Sequence, residues 1–242
     1  MITLYKLTDG DGQTRGGTQW GPGVSHSGTG EGELCGPGWI HAYEHPLVAV
    51  LMNPIHAKFK NPRLWEAEGE VVLRDSQLKC GCKTLTTVRE IPLPSITTEM
   101  RVRFAILCAK EVCADLSWNA WADRWLSGED RSEAAAGAAA LAARAAWAAE
   151  AAAWAAWAAA AAEAAAWAAE AASAAYRSAA YRSAWAAQAT EAAQAAQAAE
   201  AWAAQAAEAA AYRSARAAAM AGTDIFAIAE NACSGVHTFE ES

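Results

Sequence analysis

The chain has 242 residues, is 54% hydrophobic and carries a formal charge of -8. That charge argues against a general nucleic-acid binder, whose affinity rests on neutralising phosphates with Lys and Arg. All seven prolines lie at or before Pro94, and after Gly128 the glycines thin to Gly137, Gly222 and Gly235. The composition therefore predicts an α+β protein in two parts: a small strand-rich mixed domain over 1-95 and an Ala-rich all-helical bundle over 96-242.

In chain order, Ile2 to Leu7 has the β-branched and aromatic content of a strand, and Asp9-Gly10-Asp11-Gly12 supplies the turn that ends it. Gly16 to Trp20 predicts a second short strand, and the run from Gly21 through Gly28, Gly30 and Gly32 a flexible surface loop. That loop matches neither the phosphate-cradling pattern of a P-loop nor the dinucleotide fingerprint. Leu34 to Pro46 reads as a turn and a short strand, with Pro46 at the first position of a helix that Asn53-Pro54 should stop. Arg63 to Glu68, Val71 to Leu73 and Lys83 to Ile91 read as three further strands, with Trp39 and Trp65 in the core.

The second part begins with Thr97 or Thr98 capping a helix whose face is Met100, Phe104, Leu107, Cys108 and Val112. A helix starting at Ser117 carries Trp118, Trp121 and Trp125 on one side, and Gly128 ends it. Ser132 caps the run to Met220, which is close to polyalanine and so nearly forced into helix. A single straight helix of that length would scatter Trp147, Trp154, Trp157, Trp167, Trp185 and Trp202 around its axis. Several helices folded back on one another cover them better, with bends near Tyr176-Arg177-Ser178, Tyr181-Arg182-Ser183 and Thr190. Trp147, Trp154, Trp157, Trp167, Tyr176, Arg177, Tyr181 and Arg182 are the candidate interface residues. Thr223 or Asp224 caps a last short apolar helix expected to dock on that bundle.

The six cysteines are scattered and read as free thiols. Cys80-Gly81-Cys82 alone has ligand-like spacing: on a strand both sulfurs face one side and could share a metal with Cys35 or His41. A second such pair is missing, so structural thiols are the preferred reading and no cofactor is expected. His41 and His45 flank Glu44 without forming H-E-x-x-H, and a histidine at a strand end serves more often as a structural hydrogen-bonding residue. Trp20, His41, Tyr43, His45 and Arg89 are the candidate ligand-contacting residues.

Tyr5-Lys6, Gly38-Trp39-Ile40-His41-Ala42 and Val88-Arg89-Glu90-Ile91-Pro92 together support a resemblance. Residues 2-94 resemble an uncharacterised domain found in bacteriophages and at the front of some bacterial repeat proteins, with a Tyr-Lys first strand, a Gly-Phe-His motif and a strand ending Arg-Glu-Ile-Pro. Ile40 is an insertion relative to that pattern. From Arg101-Val102-Arg103-Phe104-Ala105 into the alanine run, the chain is similar to the Ala-rich helical domains of immunity proteins in bacterial and phage genomes. A looser likeness to ADP-ribosyltransferase folds implies that Tyr5, His41 and Tyr43 line a nicotinamide pocket and that Glu90 orients the attacking group.

These resemblances imply a non-enzymatic phage or mobile-element accessory protein. It would bind a host defence protein, or a small nucleotide-like signal, in an anti-defence or immunity role. An NAD-dependent ADP-ribosyltransferase-like enzyme is one alternative and a self-assembling helical structural protein another. The opening residues have no basic stretch followed by an apolar core, and acidic and basic residues interrupt the alanine run. The expectation is a homo-oligomer in the bacterial cytoplasm, with neither nucleic acid nor membrane as partner.

Overall fold

The computed structural model describes residues 2-132, 134-136, 162-163, 166, 205 and 208-234. The fold is α+β, and the chain divides into two compact units, Met1–Ile96 with Ala218–Ser242 and Thr97–Ala217.

In the first unit, β1 (Ile2–Thr8) forms where its composition predicts a strand, burying Leu4, Lys6 and Thr8 on one face and Leu7 on the other. The Asp9 carboxylate then accepts from Asp11 N at 3.0 Å and Gln13 N at 2.7 Å. This turns the chain into a separate two-stranded ladder of β2 (Gln13–Thr14) and β3 (Thr18–Gln19). Where the glycines predict an irregular loop, β4 (Ser25–Ser27) forms, because its backbone extends the sheet and its serines meet threonines across the ladder. The rest of that loop is closely packed. A Cβ on Gly38 would lie 2.0 Å from Glu31 O, and one on Gly28 would lie 2.3 Å from Gly38 O, so glycine serves here for close backbone approach.

After β5 (Ile40–Ala42), Pro46 opens α1 (Pro46–His56) as expected. The predicted stop at Asn53-Pro54 is corrected, since the helix runs through Pro54 to His56. Proline so near the end forfeits one backbone bond, and the helix finishes where Lys58 N bonds to Asn53 O at 2.7 Å and the Asn53 side chain clamps Phe59. β6 (Arg63–Asp75) is a single strand in place of the two predicted, passing Gly69 by register shifts rather than by a break. β7 (Lys79–Ile91) starts at Lys79 rather than Lys83, which puts both cysteines of Cys80-Gly81-Cys82 on the strand.

The antiparallel sheet runs β1-β6-β7, with β4 and β5 both pairing to β7. Just beyond β5, Tyr43 exchanges both backbone bonds with Tyr5, at 2.8 and 2.9 Å. This bridge joins β5 back to β1 and closes the sheet around an interior of Leu4, Trp20, Ala42, Ala67, Cys80, Cys82 and Leu85. Trp39 and Trp65 are buried, as expected.

The second unit opens with α2 (Thr98–Lys110), capped by Thr97 Oγ1 accepting from Met100 N at 3.2 Å. Met100, Phe104 and Cys108 are buried on one face, whereas Leu107 is half exposed. α3 (Leu116–Ser127) begins before Ser117 because the Asp115 carboxylate takes the cap, accepting from Trp118 N at 2.7 Å. Trp118, Trp121 and Trp125 are buried along α3, and Gly128, at φ 81°, ends it in the left-handed conformation that favours glycine. Ser132 Oγ accepts from Ala135 N at 3.3 Å, the cap expected for the alanine run. A helical run over 208-220 is also present. The predicted bends and the candidate interface residues Trp147, Trp154, Trp157, Trp167, Tyr176, Arg177, Tyr181 and Arg182 lie outside the described residues.

The last helix, α4 (Ile225–Ser234), is capped by Asp224, which accepts from Phe226 N at 3.0 Å. Its predicted docking on the Ala-rich bundle is corrected: α4 belongs to the first unit and lies against α1. Ile225 N donates to Gln77 Oε1 at 2.6 Å, and Phe226 stacks on His45 with ring centroids 5.3 Å apart. No helix among the described residues is long and apolar enough to cross a membrane.

Candidate functional site

The polar side chains that could carry chemistry gather on the two faces of the β5–β7 region. Alternation decides the face of each. Ala42 pairs with Cys80 and points into the closed sheet, while His41 pairs with Gly81 and points out. Gly81 is needed because the outer face is covered at that point, where an added Cβ would lie 2.6 Å from Leu34 Cδ1. Cys80 and Cys82 therefore share the inner face, as their spacing predicts, but Cys35 and His41 do not join them. The Cys35 sulfur instead accepts from Lys79 Nζ at 3.2 Å, and Lys79 stands on the face opposite Cys80. The reading of Cys80 and Cys82 sharing a metal with Cys35 or His41 fails, since strand parity turns His41 to the other face and Cys35 is held by Lys79. Among the described residues no group of three or more His, Cys, Asp or Glu could hold a metal.

On the outer face, the His41 ring donates to Leu34 O, an assignment forced because a carbonyl can only accept. Burial pulls its pKa below the ordinary histidine value, opposed by that backbone bond and reinforced by the charges of Lys79 and Lys6, so the ring is neutral near pH 7. The Tyr43 hydroxyl and His56 Nδ1 share a hydrogen bond at 3.1 Å, and the two rings stack with centroids 5.9 Å apart. Burial raises the Tyr43 pKa above the usual phenol value and lowers that of His56 to about 4. The Tyr43 to His56 bond is therefore between neutral partners.

On the inner face sits Lys6, which is 8% exposed. Its ammonium donates to His41 O at 2.7 Å and lies 4.8 Å from the centre of the Trp20 ring. Burial pushes its pKa down to about 8, against the opposing pull of Cys82 and Cys80. Cys80 and Cys82 act on one another across the shared face: the Cys82 thiol and burial raise Cys80, while the Cys80 thiol, together with the Lys6 charge, lowers Cys82.

The remaining sequence candidates do not converge on one site. Glu90 pairs through Trp65 with Lys6 in register, which puts it on the face opposite Tyr5, Tyr43 and His41, and Arg63 holds its carboxylate in a two-pronged ion pair. The nicotinamide-pocket arrangement implied by the ADP-ribosyltransferase likeness is accordingly not assembled. Arg89 pairs with Glu66 on the outer surface, and His45 Nε2 lies 3.2 Å from Glu230 on α4. Trp20 belongs to the interior, where its indole N–H donates to Thr14 Oγ1 at 3.0 Å. The sequence reading missed Lys6, Lys79 and His56. Lys6 carries the one usable signal, since it shares strand parity with Leu4.

His56 has a folded-state pKa below its unfolded one, so the unfolded chain takes up the proton first. Its contribution is present above about pH 6.5 and is lost as pH falls through about 4, amounting to about 3 kcal/mol. Urea unfolding of the first unit between pH 7 and 4 should show this loss, with a shallower slope in His56→Phe. The exposed Cys35 and half-exposed Cys233 should react with iodoacetamide well before the buried Cys80, Cys82, Cys108 and Cys113, as peptide mapping would show.

No family model, curated protein or solved structure matches the chain.

Proposed function

We propose that the protein is a non-enzymatic accessory protein of phage or mobile-element type. It acts in the bacterial cytoplasm by binding a host defence component or its nucleotide-type signal, and its Ala-rich half is an all-helical bundle. The observation that carries this reading is the fate of the candidate catalytic groups. His41 is spent on Leu34, Tyr43 on His56 and Glu90 on Arg63, so these side chains hold the fold together and none is aimed at a substrate. What the first unit offers outward is surface. Glu68, Glu70 and Val72 are exposed along the outer face of β6. With a formal charge of -8 on the chain, this acidic and apolar strip suits a basic protein partner such as a nucleic-acid-binding defence component.

The test is to mix the purified chain with candidate host defence proteins and, separately, with nucleotide signals, and to assay phage sensitivity in cells expressing it. Binding of a defence protein that weakens about tenfold or more in Glu68→Lys/Glu70→Lys, in a salt-dependent way, supports the protein-partner form. Nucleotide binding unaffected by those changes supports the signal form. Binding of neither class, with no change in phage sensitivity, overturns the proposal.

A further inference from the structure

The closed sheet of the first unit holds two thiols and one ammonium in its interior. Cys80 and Cys82 are fully buried on the inner face of β7, two residues apart on one strand and in one core cluster. Lys6 belongs to the same interior: its ammonium donates to the carbonyl of His41, the neighbour of Ala42, which pairs with Cys80, and it faces the Trp20 ring that packs with both cysteines. The other charges acting on the thiols are Glu44 and Arg74, and these form a two-pronged ion pair at 3.0 and 3.1 Å that uses up both. Among the described residues, Lys6 is thus a buried cation without an anionic side-chain partner, beside two groups able to become anions. Burying a charge in this way is costly unless something compensates it.

We propose that Cys80 and Cys82 form a two-coordinate site for a soft monovalent metal ion, with Cu(I) the representative, and that Lys6 supplies its counter-charge. Binding replaces both thiol protons: two R–SH and one Cu(I) give an S–Cu–S unit bearing one negative charge, and two protons pass to solvent. No electron is transferred and no oxidant is needed. The single negative charge of the bis-thiolate cancels the single positive charge of Lys6, leaving a neutral group in an apolar interior. Thiolate donors select soft ions. Two donors leave tetrahedral zinc two ligands short, and among the described residues none is placed to supply the others.

The experiment is an anaerobic titration of the purified full chain with Cu(I) against a competing chelator, with X-ray absorption on the loaded protein. The expected result is one tightly held ion per chain with two sulfur neighbours, retained in Cys35→Ser/Cys233→Ser and lost in Cys80→Ser/Cys82→Ser. Lys6→Met should weaken it by about a hundredfold, because the bis-thiolate charge is then buried without a partner. Circular dichroism reports whether the double serine variant folds. If it does not, the absorption spectrum of the parent and the affinity of Lys6→Met decide. Equal affinity in the parent and a folded double serine variant overturns the proposal, as do nitrogen or oxygen neighbours in the spectrum or unchanged affinity in Lys6→Met.

Discussion

Between pH 8 and 10.5 the first unit should gain about 3 kcal/mol of stability from the deprotonation of Lys6 alone, and Lys6→Met should abolish that gain. In the folded state burial has pushed the ammonium down to about 8 from its ordinary 10.5. Over that window the unfolded chain binds the proton and the folded chain does not, so stability rises with pH. The stabilising contribution is complete above 10.5 and is lost as pH falls through 8. Near pH 7 the fold therefore carries the full cost of a buried charge, against which the bond to His41 O and the Trp20 ring are partial compensation. Tyr43, raised by burial, has the opposite dependence, with its contribution present below the ordinary phenol range and lost above it. Comparing the variant with its parent cancels that term. Urea unfolding at pH 7.5 and 10, followed by hydrogen exchange in β1, β6 and β7, reads the difference directly. Parallel pH profiles for the two proteins would show that the ammonium is not desolvated.

Trp65→Ala should destabilise the same unit by about 3 to 5 kcal/mol, a large fraction of the roughly 5 to 15 kcal/mol that holds a typical domain folded. Trp65 is 1% exposed, its indole N–H donates to Thr8 Oγ1 at 3.1 Å, and the Arg63 guanidinium covers its ring at 4.7 Å. Removing the ring leaves a cavity where β1, β6 and β7 meet and frees the cation that also holds Glu90. Trp65→Phe keeps most of the volume and loses the hydrogen bond, so a cost of about 1 to 2 kcal/mol is expected. Chemical denaturation of both variants separates packing from hydrogen bonding. A cost below about 1 kcal/mol for alanine would mean that the three strands are not held together through this ring.

Much of the local structure is written in short stretches. Pro46 opens α1, Gly128 ends α3, Thr97 caps α2 and Asp224 caps α4, because each of these events depends on one side chain and the few backbone groups beside it. The strand character of β1 and the common face of Cys80 and Cys82 follow from two-residue alternation in the same way. Where a strand or helix boundary departs from the local signal, a non-local interaction overrides it. β4 exists because β7 offers it an edge, β6 passes Gly69 because its partners on both sides hold it extended, and α1 survives Pro54 because Asn53 and Phe59 secure its end.

The candidate site was less legible. Tyr5, His41, Tyr43 and Glu90 look like a set when counted along the chain, yet strand parity divides them between two faces. His56 was reachable only once Tyr43 and the end of α1 were placed together, and Lys79 once β7 was seen to begin four residues early. The thiol spacing groups Cys35 with Cys80 and Cys82, yet its partner in the fold is Lys79, 44 positions away.

By itself, then, the sequence determined most of the helix caps, the turn after β1, the strand character of β1 and the two-part composition of this protein, all of which are settled by neighbours within a few residues. The tertiary structure decided that Tyr5 and Tyr43 close the sheet, that Lys6 is shut inside it with two thiols, and that α4 returns to α1. The physical reason is that pairing between distant segments is chosen by the burial and register of the whole sheet, whose loop-closure cost and matching edges no short window of residues records.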